Sequence, residues 1–77
     1  MAEKAREELE KMFDNVGLFS EGLAVVEKDG KEFHIRHDGS PAYEERFDSA
    51  NSFSEGVASV KKDGKWFNIR YDGTRVD

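Results

Sequence analysis

One stretch of the chain occurs twice, and this duplication limits the folds that the sequence can adopt. Residues 13–43 align with residues 47–77 without gaps, at an offset of 34 residues, and 17 of the 31 aligned pairs are identical. Repeated structural units need glycine where the backbone angles are unusual and large apolar side chains where units stack. The sequence therefore predicts a single repeat domain, residues 1–77. Its first repeat covers 13–46, and its second repeat covers 47–77 in truncated form.

Each repeat contains a predicted β-hairpin around an Asp-Gly pair, at residues 29–30 and 63–64. Asp-Gly between two β-like runs favours a type I′ turn, which needs positive φ at both central positions. A two-residue loop also fixes the register. The residue numbers of opposite partners then sum to 59 in the first hairpin and to 127 in the second. This register places a set of apolar side chains on one inward face: Ala24, Val26, Phe33, Ile35, Ala58, Val60, Phe67 and Ile69.

The N-terminal segment is predicted to form a helix over residues 2–14. Its apolar residues recur at spacings of three and four, which is typical of a helix that buries one face. They are Ala2, Ala5, Leu9, Met12, Phe13 and Val16. Gly17 is the expected C-terminal stop. Residues 1–17 are therefore expected to be a helical cap that packs on the core, which makes the fold class α+β.

The connector between the hairpins, residues 40–48, has two interpretations. Ser40 at an N-cap, Pro41 at the first helical position and acidic residues in the first turn favour a short helix. The repeat supports this choice, because Tyr43 and Phe47 align with Leu9 and Phe13 of the predicted helix. The alternative is an extended segment that follows the Asp-Gly turn, with Pro41 near its start. The helical interpretation is favoured.

The composition excludes several classes of function. The net charge is −5 and the pI is about 5.0, so the chain lacks the positive field that nucleic acids and anionic membranes require. It contains no Cys, which excludes disulfides and Cys-ligated zinc and fits a reducing compartment. The first residues lack the apolar core of a secretion signal. A cytoplasmic location is therefore expected.

No residue pattern indicates catalysis, a metal or another cofactor. His34 and His37 lie three apart on a strand, so they are expected on opposite faces, with His34 exposed and His37 at the rim. Ser20 and Ser54 recur as parts of turns and have no matched His to activate them. The Asp-Gly and Ser-Glu-Gly sites lack the ligand spacing of calcium loops. The chain is thus predicted not to be an enzyme.

The outward strip of the second hairpin is the candidate binding surface. Trp66 lies there with Lys61, Asn68 and Arg70. An exposed aromatic ring beside polar groups suits a protein partner or a sugar ring. Alternatively, Trp66 packs on the neighbouring helix or on another molecule. The first repeat has Glu32 at the position of Trp66, so specificity is expected where the repeats differ.

The repeated pattern resembles the WG repeat family of bacterial proteins, also called KWG repeats. The matching residues are 53–58, 62–66, Ile69 and Asp72-Gly73 in the second repeat, with residues 19–24 and 29–31 in the first. The pattern departs from the family at Phe33 and Phe67, which replace the Gly of the name, and at Glu32, which replaces the Trp.

The resemblance implies repeat architecture and a binding or scaffold role. The expected function is a non-catalytic module for protein interaction or self-assembly, with a homo-oligomer as one form. The alternative is a carbohydrate or small-ligand binder that uses Trp66 and its polar neighbours.

Overall fold

A computed structural model describes residues 3–76 and shows one short helix and two antiparallel sheets. The first sheet has the strand order β1-β2-β3, and the second has the order β4-β5-β6-β7. The elements are α1 (Arg6–Met12), β1 (Asn15–Ser20), β2 (Leu23–Lys28), β3 (Lys31–Ile35), β4 (Ser49–Ala50), β5 (Ala58–Lys62), β6 (Lys65–Ile69) and β7 (Arg75–Val76). This arrangement confirms the α+β class and the two hairpin repeats.

The two Asp-Gly hairpins form as the sequence predicts. Asp29 and Gly30 have φ of 53° and 79°, and Asp63 and Gly64 have φ of 53° and 81°, as a type I′ turn requires. The pairing of β2 with β3 and of β5 with β6 follows the predicted register at every partner, including Val26 opposite Phe33. The turn chemistry alone is sufficient to set this register.

The Phe-Ser-Glu-Gly stretch forms a turn, as the sequence predicts, but the strand that precedes it in the first repeat, β1, was not predicted. Glu21 and Gly22 have φ of 55° and 82°, and Ser20 pairs with Leu23 across the turn. Glu55 and Gly56 repeat this geometry, with φ of 52° and 85°. In the first repeat the turn joins β1 to β2. Each repeat is therefore more than one hairpin.

The N-terminal helix is shorter than predicted, because β1 begins at Asn15. The backbone of Asn15 and Val16 pairs with Glu27 and Val26 of β2. This tertiary pairing satisfies the backbone and overrides the helical period of the apolar residues. Gly17 lies inside β1, so its assignment as the helix stop is wrong. Of the predicted stripe, Leu9 is buried in the core, whereas Ala2 lies outside the described residues.

The connector contains no helix, so the helical interpretation of residues 40–48 is wrong; it pairs with β3 at two isolated bridges, with bends at residues 42–44 between them. Glu32 and Phe47 exchange two backbone hydrogen bonds of 2.8 Å, and the amide of Ala42 donates to the carbonyl of His34 at 2.9 Å. Pro41 forms a further isolated bridge with Ile35. The outer edge of β3 offers these partners, and a helix would leave that edge unpaired.

The core consists of two clusters, one for each repeat, built from residues at equivalent positions. The first cluster contains Leu9, Ala24, Val26, Phe33 and Ile35, with Phe13, Val16, Phe19 and Tyr43 packed against it. The second contains Phe47, Phe53, Ala58, Val60 and Ile69, joined by Leu23 of the first repeat. The ring of Phe13 meets Phe33 edge-on at 5.9 Å, and Phe47 meets Phe67 in the same way at 6.0 Å. Tyr43 contacts both clusters and links the repeats.

Among residues 3–76, no helix is long and apolar enough to cross a membrane.

Candidate functional site

The outward face of the first hairpin is covered by the second repeat. His34 lies on this face and is 0% exposed, so the expectation of an exposed His34 is wrong. The ring of Phe53 lies 4.4 Å from the His34 ring, and Tyr43 contacts it edge-on at 5.8 Å. The face that the sequence suggests is solvent-exposed is therefore the interface between the repeats.

Two hydrogen bonds hold the buried His34 ring. Its Nε2 lies 2.8 Å from the carbonyl oxygen of Asn51, and its Nδ1 lies 2.6 Å from the hydroxyl of Tyr43. Because a carbonyl can only accept, Nε2 carries the proton and Nδ1 accepts from Tyr43. Burial lowers the pKa of His34, although the bond to Asn51 opposes this shift. Burial also raises the pKa of Tyr43. Both groups are neutral and structural.

Glu21 forms a second link between the repeats. Its carboxylate accepts from the backbone amides of Glu55 at 2.6 Å and Gly56 at 2.9 Å, and from the hydroxyl of Tyr71 at 2.8 Å. The Gly56 amide, followed by the Tyr71 hydroxyl, lowers the pKa of Glu21. Beside it, the hydroxyl of Ser20 donates to the carbonyl of Phe53 at 2.8 Å. Ser20 and Glu21 of the first Phe-Ser-Glu-Gly stretch thus contact the second stretch of the same sequence.

Two charged residues of β3 complete the interface. The Nζ of Lys31 lies 2.7 Å from Oδ1 of Asp48, and this contact lowers the pKa of Asp48. Oε1 of Glu32 accepts from the backbone amide of Ala50 at 2.7 Å. Glu32 occupies the position that Trp66 has in the second repeat. In the first repeat, the side chain at this position therefore contacts the other repeat.

The same face of the second hairpin is open to solvent, and we call it the Trp66 face. It is formed by Lys61, Trp66, Asn68 and Arg70. The Trp66 side chain is 53% exposed, Asn68 and Arg70 are exposed, and Lys61 is half-buried. Trp66 pairs with Lys61 across the hairpin, as the register predicts. The structure thus brings the four candidate residues together on one surface.

Two members of the Trp66 face also have local structural roles. The hydroxyl of Ser59 donates to Oδ1 of Asn68 at 2.9 Å. Nη1 of Arg70 donates to the carbonyl of Arg75 at 2.9 Å and holds the turn that follows β6. Arg36 makes the same contact with the carbonyl of Pro41 at 2.7 Å. Trp66 and Lys61 are consequently the members best placed to bind a partner.

The outer edge of β6 is only partly paired. β7 pairs with Asn68 and Ile69, and no residue among 3–76 pairs with this edge at Trp66. At the equivalent position of β3, Glu32 exchanges both backbone bonds with Phe47. An unpaired strand edge is a template for another extended segment.

An open groove of about 900 Å³ borders this edge, beside Phe67. Tyr43, Lys62, Lys65 and Arg75 are among the residues that line it. In the first repeat, the guanidinium of Arg46 lies 4.2 Å above the ring of Phe33, which is fully buried. Phe67 remains partly exposed, although Arg75 lies 4.3 Å above it. The apolar edge beside Phe67 is therefore accessible in the second repeat, whereas the equivalent edge beside Phe33 is covered in the first.

The part of the chain that the structure describes contains no group of three or more His, Asp or Glu side chains that could hold a metal ion.

The sequence did not identify Ser20, Glu21 and Lys31 as interface residues, because Ser20 and Glu21 were assigned to turns and Lys31 was given no role. The available signal was that these residues are identical in the second repeat, at Ser54, Glu55 and Lys65.

Comparison with known proteins identifies the repeat unit. No curated protein and no solved structure matches the chain. The family model described as WG containing repeat matches it twice, over residues 4–31 and 36–66, which together make up most of the chain. The two matches confirm the resemblance drawn from the repeated motif. The chain belongs to the family of WG containing repeat proteins.

Proposed function

We propose that the chain is a non-catalytic repeat module that binds a protein partner through the Trp66 face. One observation supports this proposal more than any other: the equivalent face of the first repeat is already a protein interface. There, Glu32 and His34 contact the second repeat, whereas Trp66 and Asn68 occupy the same positions with no repeat against them among the described residues.

The composition of the Trp66 face suits a protein partner. Binding hot spots are enriched in Trp and Arg that can be desolvated at the centre of a contact. Trp66 offers an exposed ring, and Lys61 offers a charge at its side. The net charge of −5 disfavours nucleic acid and anionic lipid as partners. The absence of Cys fits action in the cytoplasm.

A photo-crosslinking amino acid at position 66 tests this proposal in cells. We expect a discrete protein adduct from position 66 and none from position 44, where the exposed Glu44 lies on the connector. With the purified partner, Trp66→Ala should weaken binding by about tenfold or more, which corresponds to about 1.4 kcal/mol. Glu44→Ala should leave binding unchanged. Equal adducts from both positions, or a partner indifferent to Trp66→Ala, would refute the assignment.

The exposed Trp66 ring also supports a second candidate, a carbohydrate or small-ligand binder. Sugar rings stack on exposed aromatic faces and hydrogen-bond to neighbouring polar groups. Titration with a glycan panel tests this, because Trp66 is the only Trp and reports directly by fluorescence. A saturable spectral shift would favour this candidate, and a flat response to every glycan would count against it.

A further inference from the structure

We propose that the partner of the Trp66 face is another molecule of the same chain, docked head to tail. This inference rests on the proposed function and specifies its partner. The second repeat of one molecule, around β6 and Gly56, would contact α1 and β1 of the next. The contact would repeat the interface that already joins the two repeats inside one molecule.

The turns at the two ends carry the residues that this contact needs. Inside the molecule, Ser20 donates to the carbonyl of Phe53, and Glu21 accepts from the amides of Glu55 and Gly56. Ser54 and Glu55 are identical to Ser20 and Glu21 and are exposed. The next molecule presents the matching groups: the carbonyl of Phe19 and the amides of Glu21 and Gly22. When the internal contact is shifted by one repeat, Ser54 donates to the Phe19 carbonyl of the next molecule. Glu55 accepts from the Glu21 and Gly22 amides of that molecule.

The strand edge supplies two further matched contacts. Lys31 pairs with Asp48 at 2.7 Å inside the molecule, and Lys65 of one molecule would pair with Asp14 of the next. The amide of Glu32 donates to the carbonyl of Phe47 at 2.8 Å. The amide of Trp66 would donate in the same way to the carbonyl of Phe13, which has extended backbone angles at the end of α1.

Two of the three sequence differences on the Trp66 face, at positions 66 and 68, fit the surface that they would meet. At the N-terminal end, the guanidinium of Arg6 donates to the carbonyl of Gly17 at 3.1 Å and to that of Val16 at 2.5 Å. Gly17 is the counterpart of Asn51, whose carbonyl binds His34 inside the molecule. Because Arg6 already donates to the Gly17 carbonyl, this carbonyl does not need a histidine donor from the neighbouring molecule. The Trp66 ring would instead lie against Arg6, an arrangement that cation–π attraction favours.

Such a contact joins two different surfaces, so it extends into a chain of molecules unless the rotation closes a ring. Sedimentation velocity on the full chain tests it directly. Since small interfaces give weak association, we expect the mean mass to rise between about 10 μM and about 1 mM. The Trp66 emission should shift to the blue over the same range, because the 53% exposed ring becomes covered.

Charge reversal tests the Lys65–Asp14 pairing. Lys65→Glu and Asp14→Lys should each abolish the concentration dependence, because like charges then face each other. An equimolar mixture should restore it, because both mixed contacts are again opposite in charge. Glu44→Lys changes the net charge by the same amount at an exposed position of the connector, which the proposed contact does not use, and should leave assembly intact.

Asp14 also accepts from the amide of Asp29 at 3.0 Å, so Asp14→Lys needs a circular dichroism melt as a folding check. If that variant fails to fold, Glu55→Arg on the exposed turn replaces it and should also prevent assembly. A constant monomer mass up to about 1 mM would overturn the inference. Assembly that neither Lys65→Glu nor Glu55→Arg weakens would overturn it as well. A strict monomer that still binds another protein through Trp66 would leave the proposed function standing and refute only self-docking.

Discussion

The hydroxyl of Tyr43 lies 2.6 Å from Nδ1 of His34 and donates a hydrogen bond to it. Tyr43 belongs to the connector, and His34 belongs to β3. On the other side of the ring, Nε2 donates to the carbonyl of Asn51 in the second repeat. One neutral imidazole therefore ties three segments together, and both of its nitrogens are used.

The stability of the protein should fall as the pH drops below 6.5. Burial lowers the pKa of folded His34 below the ordinary histidine value of 6.5, so the unfolded chain binds the proton more tightly. The neutral ring contributes its full stabilisation above that pH, and the contribution declines until the pH reaches the folded pKa. Denaturant unfolding should give a free energy about 1 kcal/mol lower at pH 5.5 than at pH 7.5.

His34→Asn provides the control for this pH dependence, because Asn68 occupies the equivalent position in the second repeat. The variant is expected to be less stable at pH 7.5 and to lose most of the dependence between pH 7.5 and 5.5. The same slope in the variant and in the natural chain would show that other groups cause it.

Removing the Tyr43 hydroxyl should cost more than removing that of Tyr71. Tyr43→Phe leaves Nδ1 of the buried His34 without a donor, which costs about 1–3 kcal/mol. Tyr71→Phe removes a bond to the exposed Glu21 carboxylate, which water can replace. Thermal melts of the two variants should therefore differ clearly. Equal losses would contradict the role assigned to the buried ring.

Gly73 should tolerate alanine far less well than Gly64. Both have positive φ, 86° and 81°, which costs an L-residue about 1–2 kcal/mol. A Cβ at Gly73 would also lie 2.7 Å from Cγ of Tyr43, whereas nothing lies within 4 Å of one at Gly64. Urea unfolding of Gly73→Ala and Gly64→Ala separates the steric cost from the backbone cost. Similar midpoints would mean that Tyr43 moves aside freely.

Exchanging the residues at the equivalent positions 32 and 66 should change the free energy of unfolding by unequal amounts. Glu32→Trp removes the acceptor of the Ala50 amide at the inter-repeat interface and is expected to cost about 1–3 kcal/mol. Trp66→Glu changes a 53% exposed side chain and should alter stability by no more than about 0.5 kcal/mol. Chemical denaturation measures both. A greater loss from Trp66→Glu would show that the Trp66 ring is part of the packing.

The hairpins could be predicted because their causes are local. Asp-Gly fixes the turn, and a two-residue turn fixes the register that buries Val26 and Phe33. The connector could not be predicted in the same way. Ser40 and Pro41 are compatible with a helix start, but the free edge of β3 provides backbone partners that no local signal contains. The length of the helix depended equally on pairing with β2.

The amino-acid sequence by itself determined the repeated unit, its turns and its inward face, since these follow from glycine conformation and from period-two alternation. The tertiary structure alone decided which outward face is buried. His34 and Trp66 lie on equivalent faces of the two hairpins, yet one is 0% exposed and the other 53%. The physical reason is the stacking of the second repeat on the first, which covers His34, whereas no repeat among residues 3–76 covers Trp66.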